Sequence, residues 1–198
     1  MVRAYQVEEE LNKIIRKTKA PIIISDLGRY PFYYDTLTGN IFATPTKFAK
    51  ILNKRGWEEV EKNWKEFLGW CMKHELIHKK QWEFLLQQDA FRKEELYYHW
   101  LIEIQALNSL PMLRVAEQAH TREFFYILKI GRVVGIPPIL LPSFAFAVPK
   151  EELEKAPEPY KEVLLGLKEF ALKIRTYEDI IKFAPQAKKL EDIMIWKR

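Results

Sequence analysis

Apolar residues recur at steps of four, three and four along Val60, Trp64, Phe67 and Cys71, and the same rhythm is met again at Trp82 and Leu85. This is the core-facing stripe of a helix, and it predicts one helical stretch from Trp57 to about Gln88. Between Cys71 and Trp82 the stripe lands on His74 and His78, so two histidines occupy inward positions. Their i, i+4 spacing stacks the imidazoles on one face.

The remaining pattern is strands first, then helices. An amphipathic run over about 7–18 predicts a helix. PIIIS (21–25) reads as a strand, and PFYYDTL and NIFAT flank the turn signal Thr38-Gly39, which predicts a small antiparallel sheet. Thr44-Pro45 is an N-cap followed by proline at the first helical position, opening a helix that ends at Gly56. A hairpin near Asp89–Lys93 leads to a helix over about 93–110, and a third runs from Pro111 to about Ile130. Residues 131–149 are apolar and proline-rich, which predicts an extended stretch rather than a regular helix. Helical segments follow at about 158–175 and 177–184. The expected fold is α+β and helix-dominated, a single domain over 1–198. It has a β-containing part (1–56), metal-binding helices (57–130), and a proline-rich segment with C-terminal helices (131–198).

The chain has 198 residues, with 48% hydrophobic and 30% charged, enough for a sizeable core in a soluble protein. Its net charge of +5 is spread as lysines alternating with glutamates, as in EEVEKNWKE, so solvated helix faces are expected and a nucleic-acid partner is not. Abundant isoleucine, lysine and glutamate fit a thermophilic source. One cysteine, Cys71, together with an N-terminus lacking an apolar signal region, points to a reducing cytoplasmic compartment. The most apolar run, VVGIPPILLPSFAFAV, is broken by Pro137, Pro138 and Pro142, so no membrane span is expected.

The chemistry lies in His74-Glu75-Leu76-Ile77-His78, an H-E-x-x-H pattern. Composition alone would produce it in roughly 1% of chains this long. Inward imidazoles beside a carboxylate require partners. Zinc supplies them by accepting the nitrogen lone pairs, with Glu75 holding a water. The alternative is a pair of core histidines bonded to backbone or carboxylates. A catalytic zinc takes three protein ligands, and Glu94, Glu95, His99, Glu103, Glu117 and His120 follow downstream. Glu103 stands in the apolar stripe Leu96, Trp100, Glu103, Leu107, Leu110, and about a dozen residues separate the hairpin from both His78 and Glu103. Phase therefore favours Glu103, with His99 as an alternative ligand or a residue orienting one.

HELIH followed by Glu103-Ile-Gln-Ala106 resembles the gluzincin zinc metallopeptidases, whose third ligand is a glutamate on a second helix with alanine three residues on. Over about residues 20–110 the chain is similar to the small archaeal minigluzincins. The resemblance implies zinc on His74, His78 and Glu103, Glu75 as general base, and peptide or protein substrates. It implies an edge strand, for which NIFAT is the candidate, that pairs with extended substrate. Relatives often carry Asp or Asn directly after the alanine; here Leu107 stands there and Asn108, one later, is the candidate for orienting a zinc histidine or serving as an alternative ligand. His120, Tyr97, Tyr98 and Tyr126 are candidates for stabilising the oxyanion. The proline-rich segment is expected to pack over the helices; the sharper alternative is a lid that keeps a peptidase latent. Two rivals from other classes remain. Glu75-x-x-His78, Glu103 and Glu117-x-x-His120 match part of a di-iron carboxylate bundle, without its first lone glutamate. A non-catalytic zinc scaffold is the other. Oligomeric state is not readable.

Overall fold

Ten helices and three short strands make up the described part of a computed structural model, which covers residues 1–28, 30–130, 140–158 and 160–195. The helix-dominated α+β expectation holds. The chain divides into two compact units, Met1–Trp82 with Leu113–Ala119, and Glu83–Met112 with His120–Arg198.

The first unit begins with α1 (Ala4–Thr18), which buries Val7 and Leu11 and ends on Lys19 in the left-handed conformation. The Asn53 side chain ties down the segment before α1, accepting from the Val2 amide at 2.9 Å and donating to its carbonyl at 2.7 Å. Strands β1 (Ile22–Ile24), β2 (Phe32–Asp35) and β3 (Asn40–Ala43) form one sheet in the order β1-β3-β2. β2 and β3 are antiparallel, with Tyr33 opposite Phe42. β1 runs parallel to β3, with Ile22 opposite Ile41.

The sheet is therefore mixed, not antiparallel as predicted. Residues 25–31 are long enough to carry β2 to the far side of β3, whereas a tight hairpin would have forced β1 and β2 together. A second correction follows. The NIFAT strand is central, with Ile41 and Ala43 fully buried, and β1 and β2 are the edges. The β2–β3 turn follows its residues: the Asp35 carboxylate accepts from the Leu37 and Thr38 amides and the Thr38 hydroxyl, and Gly39 takes the positive φ of 70°.

Helix α2 (Pro45–Leu52) starts at the predicted Thr44-Pro45. The predicted continuous helix over 57–88 is in fact two, α3 (Glu58–Lys62) and α4 (Trp64–Leu85), parted at Asn63. Asn63 lies at φ −109°, ψ 25°, and its amide donates to the Glu59 carbonyl at 3.1 Å. Asparagine side chains compete with the helix for backbone partners in this way.

In the second unit, α5 (Leu96–Asn108) is buried over most of its length. The Asn108 amide donates to the Ala171 and Ile174 carbonyls at 2.9 and 2.6 Å, holding the C-terminal end of α9 (Tyr160–Ala171). Helix α7 (Leu140–Ala147) replaces the extended stretch expected over 131–149; the rest of the GIPP run, 131–139, lies outside the described residues. Pro142 is the third residue of α7, in the first turn, where proline has no intrahelical hydrogen bond to lose. Ala145 and Val148 join Phe124 of α6 (Arg114–Ile130) and Leu164 and Leu167 of α9 in one core cluster. Lys168 donates to the Phe146 and Val148 carbonyls, each at 2.6 Å, and so caps α7. This part of the proline-rich segment is integral core. After the short α8 (Lys150–Leu153), α10 (Tyr177–Ile195) runs past the predicted end at 184 and through Pro185. Ala184 and Ala187, both buried, flank the proline on the packed face.

Candidate metal centre

The two histidines face inward because α4 carries its large side chains on the same side. Phe67, Leu68, Met72, His78, Trp82 and Leu85 are buried, His74 is half-buried, and Glu75 is also buried. An aromatic column leads up to them within the first unit. Phe32 of β2 packs on Phe48 of α2 with centroids 4.9 Å apart, Phe48 on Phe67 at 5.7 Å, and Phe67 on Trp70 at 6.4 Å. The Trp70 ring stacks on His74 at 5.6 Å and 23°, and His74 meets the edge of His78 at 4.5 Å and 86°. His74 is thus oriented by a stacked indole one turn below.

His78 is oriented by a hydrogen bond. Its Nδ1 lies 2.8 Å from Oε1 of Gln81, which is fully buried. Its Nε2 lies 2.9 Å from Nε2 of His74. One proton between those nitrogens makes an N–H···N bond, and a metal ion can take the place of that proton. Gln81 was not among the site residues read from sequence. The available signal was its position, three residues beyond His78 and next to Trp82 on the buried stripe.

His74, His78 and Glu103 each offer one ligand atom, and the three atoms lie within 4.8 Å of one another. Zinc bonds of about 2.0–2.1 Å at tetrahedral angles set neighbouring donors about 3.3 Å apart. The nitrogen pair, at 2.9 Å, is close to that spacing. The donors are imidazole, imidazole and carboxylate, the set that borderline cations such as zinc accept. This group could bind a metal ion, and no second group of three such donors occurs among the described residues.

The other sequence candidates lie outside the three-donor group and make contacts of their own. His99 Nε2 is 3.2 Å from the Lys93 carbonyl. Asn108 holds the end of α9, as described, rather than a ligand histidine. The Tyr97 hydroxyl donates to the Glu95 carboxylate and that of Tyr98 to the Ala90 carbonyl at 2.8 Å. Burial, and then Glu95, hold the Tyr98 phenol above its ordinary pKa. Tyr126 is half exposed, at 52%. The His120 ring packs edge-on against Phe144 at 5.8 Å. Neither Glu117 nor His120 belongs to the three-donor group, so the second E-x-x-H of a di-iron site is not assembled with it. Burial, and next the Glu75 charge, push the Cys71 thiol well above its ordinary pKa. That keeps the thiol protonated and a poor metal ligand.

Among the described residues no helix is long and apolar enough to cross a membrane. No family model matches the chain, and no curated protein or solved structure is detectably similar to it.

Proposed function

We propose that the protein is a zinc-dependent metallopeptidase acting on peptides or proteins in the cytoplasm. The observation that carries the reading is the convergence of His74, His78 and Glu103 within 4.8 Å, with the buried Glu75 carboxylate one residue from the first ligand. His74, His78 and Glu103 hold the ion. When bound, zinc supplies Lewis acidity, which draws the pKa of a water toward neutrality and polarises a scissile carbonyl. Glu75 takes the proton from the attacking water and hands it to the leaving amine. Its burial keeps that exchange away from bulk solvent.

Two measurements test this together. Metal analysis of the purified chain should find one zinc per molecule. Glu75→Gln should keep that zinc while cleavage of a quenched fluorescent peptide library falls by about 10²–10⁴-fold, the span of general acid–base catalysis. Cleavage that survives the substitution removes Glu75 as the base; a zinc-loaded wild type that cleaves nothing leaves a binding scaffold.

A further inference from the structure

A carboxamide oxygen can only accept a hydrogen bond. The 2.8 Å contact between Gln81 Oε1 and His78 Nδ1 therefore places a proton on Nδ1. A neutral imidazole protonated there carries its lone pair on Nε2. That is the nitrogen 2.9 Å from Nε2 of His74, which is another member of the three-donor group. Gln81 is fully buried, three residues along α4 from the ring it holds.

We infer that Gln81 is a positioning residue that selects the metal-binding tautomer of His78 before any ion arrives. The two histidines are then prepared differently. His74 is set by stacking on Trp70, which constrains the ring plane but not its protonation. His78 is set by Gln81, which constrains both. Partners of this kind typically change metal affinity by about 10–100-fold when removed. They act because an imidazole in the wrong tautomer must give up its N–H before it can coordinate. The affinity part of this inference rests on the metal-site reading; the tautomer part does not.

The test uses the full chain with three sequences: wild type, Gln81→Met and Gln81→Glu. Long-range ¹H–¹⁵N correlation spectra of the metal-free protein report the tautomer of each ring. Wild-type His78 should be protonated at Nδ1. In Gln81→Met, which keeps the volume but removes the acceptor, that signature should be lost. Zn²⁺ affinity, read by competition with a chromophoric chelator, should weaken by about 10–100-fold in Gln81→Met. It should recover to within a few-fold of wild type in Gln81→Glu, whose carboxylate accepts the same proton. A residue that merely filled space would not show that recovery. An Nε2-protonated His78 in the wild type overturns the inference and needs no variant. So does a folded Gln81→Met whose zinc affinity matches wild type. If the wild type takes up no zinc, the peptidase reading fails and the spectra alone decide the role of Gln81.

Discussion

Glu103 supplies the one donor of the group that lies outside the H-E-x-x-H motif, so its removal is the sharpest check on the site. In Glu103→Ala, the half-buried carboxylate within 4.8 Å of the histidine nitrogens is deleted. A ligand that binds only the folded state stabilises it by RT ln(1 + [L]/Kd), about 2.7 kcal/mol at a hundredfold excess over Kd. For a chain of this size each kcal/mol moves the melting temperature by about 2–4 °C. Wild type at that zinc concentration should therefore melt about 5–11 °C higher than with chelator. Losing one of three ligands should weaken binding by at least about 10²-fold, which leaves roughly 0.4 kcal/mol and a shift of about 1 °C at the same zinc concentration. Differential scanning fluorimetry with and without zinc, on both proteins, reads this directly. Because each protein is compared with itself, any intrinsic change in stability cancels. An equal zinc shift in the two proteins would remove Glu103 from the site. The absence of any wild-type shift, with metal analysis also negative, would leave His74 and His78 as an ordinary hydrogen-bonded pair.

Three further outcomes test the scaffold. Lys168→Met removes two charge-assisted bonds of 2.6 Å to the end of α7 while keeping most of the stem; a loss of about 2–3 kcal/mol is expected in urea unfolding, and a midpoint matching wild type would show that water satisfies those carbonyls equally well. Phe124→Ala empties a fully buried position in the core shared with α7 and α9 and should lower stability by about 3–5 kcal/mol. Asp179 accepts from the Arg175 and Thr176 amides at the start of α10, and those bonds lower its pKa. Its contribution is complete above the unfolded-state pKa of about 3.9 and is lost as pH falls through the lower folded value. Asp179→Asn should flatten that acid limb of the stability curve, and an unchanged limb would show that the carboxylate adds nothing there.

How much was legible in the sequence depended on whether the signal was local. The helix phase that put His74, His78 and Glu103 inward needs only side-chain spacing, and the three donors do converge. The start of α2 after Thr44 needs only a proline at the first helical position, since the Thr44 side chain makes no capping bond. Sheet topology is not local. Nothing in PIIIS or NIFAT says whether β1 pairs beside β2 or across β3, because both arrangements bury the same alternate residues. The break at Asn63 was hidden by a stripe that continues in register across it, from Val60 to Phe67. Proline was overweighted: Pro142 and Pro185 both lie within helices, the first where its missing N–H is harmless, the second where buried alanines on either side hold the packing. Asn108 was read through a resemblance, although its amide reaches α9 more than sixty residues on in sequence, a partner no local pattern could name.

The same distinction explains why the two histidines were found and Gln81 was not. A ligand announces itself by type and spacing, since few inward positions on a helix carry imidazole. The residue that orients a ligand needs only an acceptor at the right distance, and glutamine is common enough on helices to pass unnoticed. Yet under the inference drawn above, the orienting group sets which nitrogen of His78 carries the lone pair. With His78 Nδ1 bonded to Gln81, the Nε2 lone pair faces His74, and only the proton between the rings stands where an ion would sit. Capture of a cation therefore demands the tautomer change of one ring, His74, whose plane is already held by Trp70. The aromatic column that begins at Phe32 of β2 and ends at His74 is how the sheet, α2 and α4 together fix the plane of that ring.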